Sequence, residues 1–153
     1  MNKKAKEKAL AHSIYKSESA SPGLLFWRSF YNWQRNIRQA LDPHAVTQVQ
    51  YSIMAALFYL GSDGTLVNQQ DVANALAMDK MMVSDVVKKL LKKKYLARHP
   101  HPHDARAYAL SLTAIGKNKL KICVPLVEAI DETFFRSTGA YYSHFFKALQ
   151  ILA

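Results

Sequence analysis

Residues 80–116 decide the fold, and they read KMMVSDVVKKLLKKKYLARHPHPHDARAYALSLTAIG. Residues 80–93 are a predicted amphipathic helix, because apolar side chains return at helical spacing and give it a buried face of Val83, Val86, Val87 and Leu90. The period then changes to two, since the larger residues Tyr108, Leu110 and Leu112 alternate with small ones. Together with residues 95–98, this alternation predicts a β-hairpin with a long tip that contains prolines.

Three helices are predicted before this segment. Residues 24–41 carry aromatic residues at helical spacing, and Pro43 ends that helix because the residue before a proline disfavours the helical region. Thr47 is the predicted N-cap of the second helix, which Gly61 closes near the left-handed region. Asn68 is the predicted N-cap of a short third helix.

Two helices are predicted after the hairpin. Thr113 is the expected N-cap of a helix that reaches about residue 133, with Pro125 inside it, and the last helix covers about residues 140–149. Three short helices followed by a two-stranded hairpin are typical of a winged helix-turn-helix. The predicted fold class is therefore mostly α with a small β-hairpin wing, and residues 47–112 form the winged helix-turn-helix lobe.

The positive charge is concentrated in the same part of the chain. The chain has a net charge of +10, and residues 80–121 contain eleven basic and two acidic residues, a local excess of +9. A positive surface this localised favours binding to a polyanion, because phosphates present a dense line of negative charge. The alternative for any lysine cluster is a solvated helix face, but this cluster lies where a winged helix meets a duplex.

Two short motifs in the hairpin region are the most specific in the chain. They are Asp-x-Arg at residues 104–106 and Leu-Thr-x-x-Gly at residues 112–116. Over residues 24–136, and most strongly over residues 47–116, the sequence resembles the MarR family of bacterial transcription regulators. The resemblance implies a sequence-specific regulator that binds a pseudo-palindromic operator in double-stranded DNA as a homodimer, usually a repressor that a small molecule releases.

The resemblance also indicates which residues meet DNA. It places Met81, Met82, Ser84, Asp85 and Lys88 where the recognition helix, residues 80–93, faces base edges in the major groove. Arg106 matches the wing arginine that enters the minor groove, whose negative potential suits a guanidinium, and Asp104 matches the acid that orients it. An Asp104 that only forms a turn is the alternative. The predicted DNA-binding set is completed by Lys89, Lys92 and Arg98.

Two residues of the predicted recognition helix depart from the family pattern. Met82 stands where the family often has a threonine, and Asp85 stands where a basic or amide residue is common. A carboxylate near phosphates repels them unless it accepts a hydrogen bond from a cytosine amino group or complements the N-terminal half of the helix. The base specificity is therefore open.

The terminal segments are assigned to dimerisation and to an arm. Residues 1–22 are a predicted basic flexible arm. Residues 23–41 and 113–153 are predicted dimerisation helices, because the aromatic faces of these helices need burial that one small lobe cannot supply. Five aromatic residues are candidates for an effector pocket that takes a small aromatic or other ligand, with core or dimer interface as the alternative: Trp27, Phe30, Tyr31, Tyr51 and Phe58.

Two further groups leave alternatives open. His99, His101 and His103 alternate as in a zinc or nickel site, but no cysteine or paired acid completes a ligand set, so phosphate contact is the preferred interpretation. Cys123 has Lys119 and Lys121 nearby, as a redox-sensing thiol would, although a small buried hydrophobic residue fits its apolar neighbours better.

Several classes of function are excluded or disfavoured. The sequence has no phosphate-binding glycine loop, no nucleophile elbow and no paired carboxylates at a useful spacing, so neither an enzyme nor a cofactor is expected. A single cysteine, no export signal and no apolar run of about 18 residues indicate a cytoplasmic protein without a membrane partner. The alternative function is a winged-helix module for protein contacts or architectural DNA binding without operator specificity.

Overall fold

The structure, a computed structural model, describes residues 14, 15, 17, 20–101 and 104–153, and for residues 101 and 104–107 it describes the backbone alone. The chain divides into two compact units, Met1–Arg35 and Asn36–Ala153. The elements of the described residues are α1 (Pro22–Leu41), α2 (Gln48–Leu60), α3 (Gln69–Ala75), α4 (Lys80–Lys92), β1 (Leu96–His101), β2 (Asp104–Leu112), α5 (Ala114–Arg136) and α6 (Tyr142–Leu152). The predicted fold class, mostly α with a small β-hairpin wing, is confirmed.

The helix α1 begins two residues earlier than predicted. Ser21 accepts a hydrogen bond from the backbone N–H of Leu24 at 3.4 Å through its Oγ, and Pro22 occupies the first turn. A proline is tolerated there because its missing N–H would have no partner inside the helix anyway. The residues that look like a helix breaker in the sequence therefore start the helix.

Side-chain caps begin α2 and α3 as the sequence predicts. The Oγ1 of Thr47 accepts from the N–H of Gln50 at 3.2 Å, and the Oε1 of Gln50 accepts from the N–H of Thr47 at 3.3 Å. Asn68 and Asp71 form the same reciprocal arrangement at the start of α3. Each arrangement satisfies two backbone donors that a helix start leaves open, so both helices begin at a defined residue.

The predicted conformation of Gly61 is wrong. Its φ is −95°, outside the left-handed region, and its N–H donates to the Leu57 carbonyl at 3.1 Å. The small side chain matters for another reason, because an added Cβ would lie 3.0 Å from the Leu57 oxygen. The left-handed residue of this loop is Gly64, with a φ of 88°.

The core of the second unit surrounds α2, which contacts α3, α4, β2 and α5. Apolar side chains from all of these elements are buried together, among them Ile53, Met54, Val72, Val83, Val87, Leu90, Leu110, Leu120 and Cys123. Because α2 is surrounded, it is apolar on several faces, and the outer helices are amphipathic. Among the described residues, every helix is too short or too polar to span a lipid bilayer.

The wing is a two-stranded antiparallel sheet with Leu96 opposite Leu112 and an irregular register beyond Pro100. The N–H of Leu110 also donates to the Val67 carbonyl at 2.7 Å, which joins the α2–α3 loop to the wing. This pairing places β2 between β1 and the rest of the lobe.

The junction of the wing with α5 explains the Leu-Thr-x-x-Gly motif. Thr113 caps α5 by accepting from the N–H of Gly116 at 3.0 Å, and its own N–H donates to the Tyr95 carbonyl at 3.0 Å. Its hydroxyl also donates to the Lys94 carbonyl at 2.7 Å. A Cβ on residue 116 would lie 2.0 Å from the Tyr95 oxygen, so only glycine fits this approach.

The last two helices differ from the prediction at their ends. α5 continues through Pro125 to Arg136, three residues beyond the predicted end at residue 133. A 3-10 turn at Gly139–Tyr141 takes the first residues assigned to the last helix, which then runs from Tyr142 to Leu152. The helices end and begin here because Gly139 has a φ of 59° and because no strong capping residue precedes the last helix. A periodic pattern of apolar residues reveals neither feature.

Candidate nucleic-acid interface

The candidate interface begins with the two faces of α4. The inner face is anchored by Val83, Val87 and Leu90, which are fully buried, while Val86 is only partly buried. The outer face presents a set of exposed side chains: Met81, Met82, Asp85, Lys88, Lys89 and Lys92. Ser84 is partly buried at its edge. The recognition-helix residues singled out from the sequence therefore share one accessible face, and their contact with DNA stays a prediction.

A tight turn presents the first turn of α4 to solvent. Ala77 has a left-handed φ of 49°, and Asp79 accepts hydrogen bonds from the N–H groups of Met81 at 2.8 Å and Met82 at 3.1 Å. The carboxylate also complements the positive end of the helix dipole. Asp79 was not among the predicted caps, although an aspartate directly before a helix is a recognisable capping signal.

One ion pair modifies the charge of the outer face. The Nζ of Lys88 donates to the Oδ1 of Asp85 at 3.1 Å, three residues apart on α4, and both side chains are largely exposed. Exposed pairs of this kind contribute at most about 1 kcal/mol to folding. Their main effect is therefore to place a negative charge inside an otherwise positive surface.

Lys93 is turned away from the outer face. Its Nζ donates to the Ala45 carbonyl at 2.6 Å and to the Oε1 of Gln50 at 3.0 Å. Lys119 makes a similar bond to the His44 carbonyl at 3.2 Å. These bonds join the end of α4 and the second turn of α5 to the start of α2 and the segment before it, so Lys93 and Lys119 have partners within the lobe.

The wing carries a second basic group. The guanidinium carbon of Arg98 lies 4.7 Å from the centre of the Tyr108 ring, a cation–π arrangement that positions it on the sheet surface. The side chains of Asp104 and Arg106 lie outside the described residues, which give only the backbone of β2 at these positions. Their roles in the minor groove stay predictions.

The histidine run is only partly visible. His99 makes a 2.8 Å hydrogen bond through its Nε2 with the Oγ of Ser111 on the other strand. The side chain of His101 and the whole of His103 lie outside the described residues. Over the part of the chain that the structure describes, no group of three metal-ligating side chains occurs.

Cys123 is a buried core residue. Its side chain is inaccessible, and desolvation by burial raises the pKa of the thiol, with Lys119 opposing the change. A thiol in this state is a poor nucleophile because the thiolate is the reactive form. The interpretation of Cys123 as a small buried hydrophobic residue is confirmed.

The aromatic residues assigned to an effector pocket are divided between the two units. Trp27 and Tyr31 stack with ring centres 5.5 Å apart in the first unit, where Phe30 is also exposed. In the second unit, Phe58 is exposed. Desolvation by burial raises the pKa of Tyr51 to about 12, and the nearby Tyr59, Glu128, Asp131 and Cys123 raise it further by smaller amounts. A pocket that joins these five residues stays a prediction.

Comparison with known proteins agrees with this geometry. The model of the MarR family matches residues 48–107, which run from the start of α2 into the wing. The chain is 38% identical over 124 residues to the uncharacterised HTH-type transcriptional regulator YdcH of Bacillus subtilis, and the match spans 81% of this chain and 84% of that protein.

Solved structures share the fold. BpsR of Bordetella bronchiseptica, described as regulated in its DNA binding by 6-hydroxynicotinic acid, has a TM-score of 0.77 at 24% identity, covering 89% of this chain and 94% of BpsR. MepR of S. aureus in complex with DNA also has a TM-score of 0.77, at 21% identity, covering 88% of this chain and 95% of MepR. The match to YdcH over most of both chains, together with the family model and the fold, shows that this chain belongs to the MarR family of winged helix-turn-helix transcription regulators.

Proposed function

We propose that the chain represses transcription by binding a pseudo-palindromic operator in duplex DNA as a homodimer. The observation that carries the proposal is the outer face of α4, where lysines surround two exposed methionines. Met81 and Met82 are 71% and 51% exposed although both are large and apolar. Such side chains suit the thymine methyl groups of a major groove, and the lysines beside them suit phosphates.

The wing supports the same function. Arg98 lies on the sheet surface over Tyr108, and Arg106 follows on β2. We assign Arg106 to the minor groove, with Asp104 limiting its rotamers, because the family motif occurs there and a guanidinium suits the negative potential of a narrow groove. MepR, which has the same fold, has been solved in complex with DNA.

Dimerisation is supported by the exposed apolar surface of the last helix. Ile151 and Leu152 at the end of this helix are 85% and 78% exposed, and Phe146 within the helix and Tyr141 directly before it are also exposed. A soluble monomer rarely leaves this many large apolar side chains together in water, and a two-fold dimer would bury them. A dimer also places two recognition helices on one face of the duplex, as a palindrome requires.

A small-molecule effector belongs to the same proposal. BpsR shares the fold, and its DNA binding is described as regulated by 6-hydroxynicotinic acid. The predicted pocket of Trp27, Phe30, Tyr31, Tyr51 and Phe58 is where we expect a ligand of this aromatic type.

The test is a selection of random duplex DNA by the full chain, followed by sequencing and a salt titration of the selected sequence. We expect a palindrome with half-sites about 10 base pairs apart, and affinity that falls steeply with salt. Lys88→Ala and Lys92→Ala should each weaken binding to all sequences and flatten the salt slope by about one unit per lost phosphate contact. Lys121→Ala, which removes an exposed lysine from α5, is the matched control.

Two outcomes would contradict the proposal. DNA that is retained without any enriched sequence would indicate an architectural protein that binds only the backbone. No retention even at low salt would favour the winged-helix module for protein contacts. Sedimentation of the chain as a stable monomer at micromolar concentration would separately contradict the dimer.

A further inference from the structure

The sulfur-containing side chains of the chain differ in their access to solvent. Cys123 and Met54 are fully buried, and Met78 is only partly exposed. Met81 and Met82 are exposed in the first turn of α4. Within the part of the chain that the structure describes, the accessible sulfur is therefore concentrated on the outer face of α4.

Cys123 is protected from oxidants in two ways. Its side chain is inaccessible, and burial raises the pKa of the thiol, so little of the reactive thiolate forms. A thioether needs no deprotonation before it reacts, and its oxidation in a folded protein depends on whether the oxidant can reach it. An oxidant that meets the folded protein therefore reaches the sulfur of Met81 or Met82 before that of Cys123.

The backbone of the first turn holds both methionines on the surface. The carboxylate of Asp79 accepts hydrogen bonds from the N–H groups of Met81 and Met82. The next residue, Val83, is fully buried and fixes the helix against the core. An oxygen atom added to either exposed sulfur displaces no core side chain, so the lobe does not have to open for the reaction.

We propose that Met81 and Met82 are oxidation sites at which a two-electron oxidant of the hypochlorous acid type forms the sulfoxide and so weakens DNA binding. The inference rests on the proposed function, in which these residues face the major groove. In the net reaction an S–O bond forms and the O–Cl bond breaks. The sulfur loses two electrons, the chlorine takes them and leaves as chloride, and the proton goes to the solvent.

The sulfoxide changes what α4 offers to a major groove. The thioether is apolar and suits a thymine methyl group, whereas the sulfoxide is polar and carries an oxygen that only accepts hydrogen bonds. Guanine N7 and O6, adenine N7 and thymine O4 are also acceptors, so this oxygen meets like groups or loses its water without a replacement. Affinity for the operator should therefore fall at least about tenfold.

The first part of the experiment finds the oxidised residues without DNA. The full chain is treated with increasing amounts of hypochlorous acid, quenched with free methionine and digested with trypsin. Cleavage after each Lys and Arg places both exposed methionines in the peptide of residues 81–88 and the other two described methionines in that of residues 39–80. We expect the sulfoxide in residues 81–88 at oxidant levels that leave residues 39–80 and Cys123 unchanged.

The second part measures binding and folding of the oxidised chain. A fluorescence anisotropy titration with the selected operator should show the tenfold loss, while the melting temperature stays within about 2 °C because the change is on the surface. Reductases for both methionine sulfoxide epimers should restore the affinity. Dithiothreitol alone should not, which separates a sulfoxide from an oxidised thiol.

Two variants separate these methionines from other targets of the oxidant. The double variant Met81→Leu/Met82→Leu keeps two large apolar side chains without sulfur, and its affinity should be the same before and after treatment. Met78→Leu is the matched control, because it removes a partly exposed methionine that lies outside α4. It should lose affinity on treatment as the unmodified protein does.

Three results would overturn the inference. They are oxidation that begins in residues 39–80 or at Cys123, unchanged operator affinity when both exposed methionines are sulfoxides, and a double variant that is as sensitive as the unmodified protein. A chain that binds no duplex before treatment contradicts the proposed function and, with it, the effect on binding. The order of oxidation is read from the peptides in either case, so the two failures are distinguishable.

Discussion

Replacing Gly116 with alanine should destabilise the protein although alanine is the better helix former. Gly116 lies in the first turn of α5, where the helix approaches the backbone of Tyr95 at the start of the wing. An added Cβ would lie 2.0 Å from the Tyr95 oxygen, and real contacts of this kind stay beyond 3.0 Å. Helix and wing must therefore separate by about 1 Å or more for alanine to fit.

The expected cost follows from what the separation disturbs. Overpacking of this kind costs about 1–3 kcal/mol. The bonds from Thr113 to the carbonyls of Tyr95 and Lys94 meet at the same place, and weakening one of them adds about 1 kcal/mol. The higher helix propensity of alanine relative to glycine offsets about 1 kcal/mol of this cost. The free energy of unfolding should therefore fall by about 1–3 kcal/mol, which lowers the melting temperature by about 2–12 °C for a chain of this size.

The assay is thermal and urea unfolding followed by circular dichroism at one protein concentration. Gly23→Ala is the matched control, because it also replaces a glycine in the first turn of a helix and its new Cβ would meet nothing within 4 Å. The control should leave the free energy of unfolding unchanged or raise it by up to about 1 kcal/mol. If Gly116→Ala melts at or above the temperature of the unmodified protein, then α5 does not approach Tyr95 as described.

Four other changes have defined outcomes. Arg106→Ala should weaken operator binding by about 1–3 kcal/mol in a fluorescence anisotropy titration, and unchanged affinity would remove this arginine from the interface. Asp85→Asn should strengthen binding to operator and random duplex alike, because it removes the negative charge from the outer face of α4. If the variant and the unmodified protein bind DNA with equal affinity at low salt, this expectation is wrong. Lys93→Met should lower the free energy of unfolding by about 1–3 kcal/mol through loss of its two bonds, whereas Lys92→Met should change it by less than about 0.5 kcal/mol, and equal effects in urea titrations would refute the difference. Cys123 should react with iodoacetamide at pH 8 far more slowly in the folded protein than in urea, because burial raises the pKa of its thiol and hides it; equal rates would show that it is accessible.

Local signals in the sequence predicted most of the lobe. Thr47, Asn68 and Thr113 cap helices because a side-chain oxygen meets N–H groups two or three residues later, a relation that is visible within one turn. The buried face of α4 follows from the 3.6-residue period for the same reason. Asp79 was equally visible as a cap and was missed.

Features that join distant parts of the chain had no such signal. Lys93 reaches partners 43 and 48 residues earlier, so nothing around it distinguishes it from the neighbouring lysines that face outward. A cleft at the base of the wing, which is lined by the end of α2, the α2–α3 loop, both strands of the wing and the first turn of α5, is a property of the packing alone. The backbone approach at Gly116 is an intermediate case, because the motif marks the glycine but only the structure shows which carbonyl requires it.

The junction at Gly116 makes the wing a lever with a rigid root. Hydrogen bonds hold Lys94 and Tyr95 against the start of α5 and Leu110 against Val67, while the three residues of β1 beyond Arg98 extend outward for about 10 Å. Over that length, a rotation of about 10° at the root moves the far end by about 1.7 Å, more than half the length of a hydrogen bond. A small displacement of α5 is thus magnified along the hairpin. Contacts between the distal wing residues and a DNA groove would therefore be broken by movements of α5 that are too small to disturb the core.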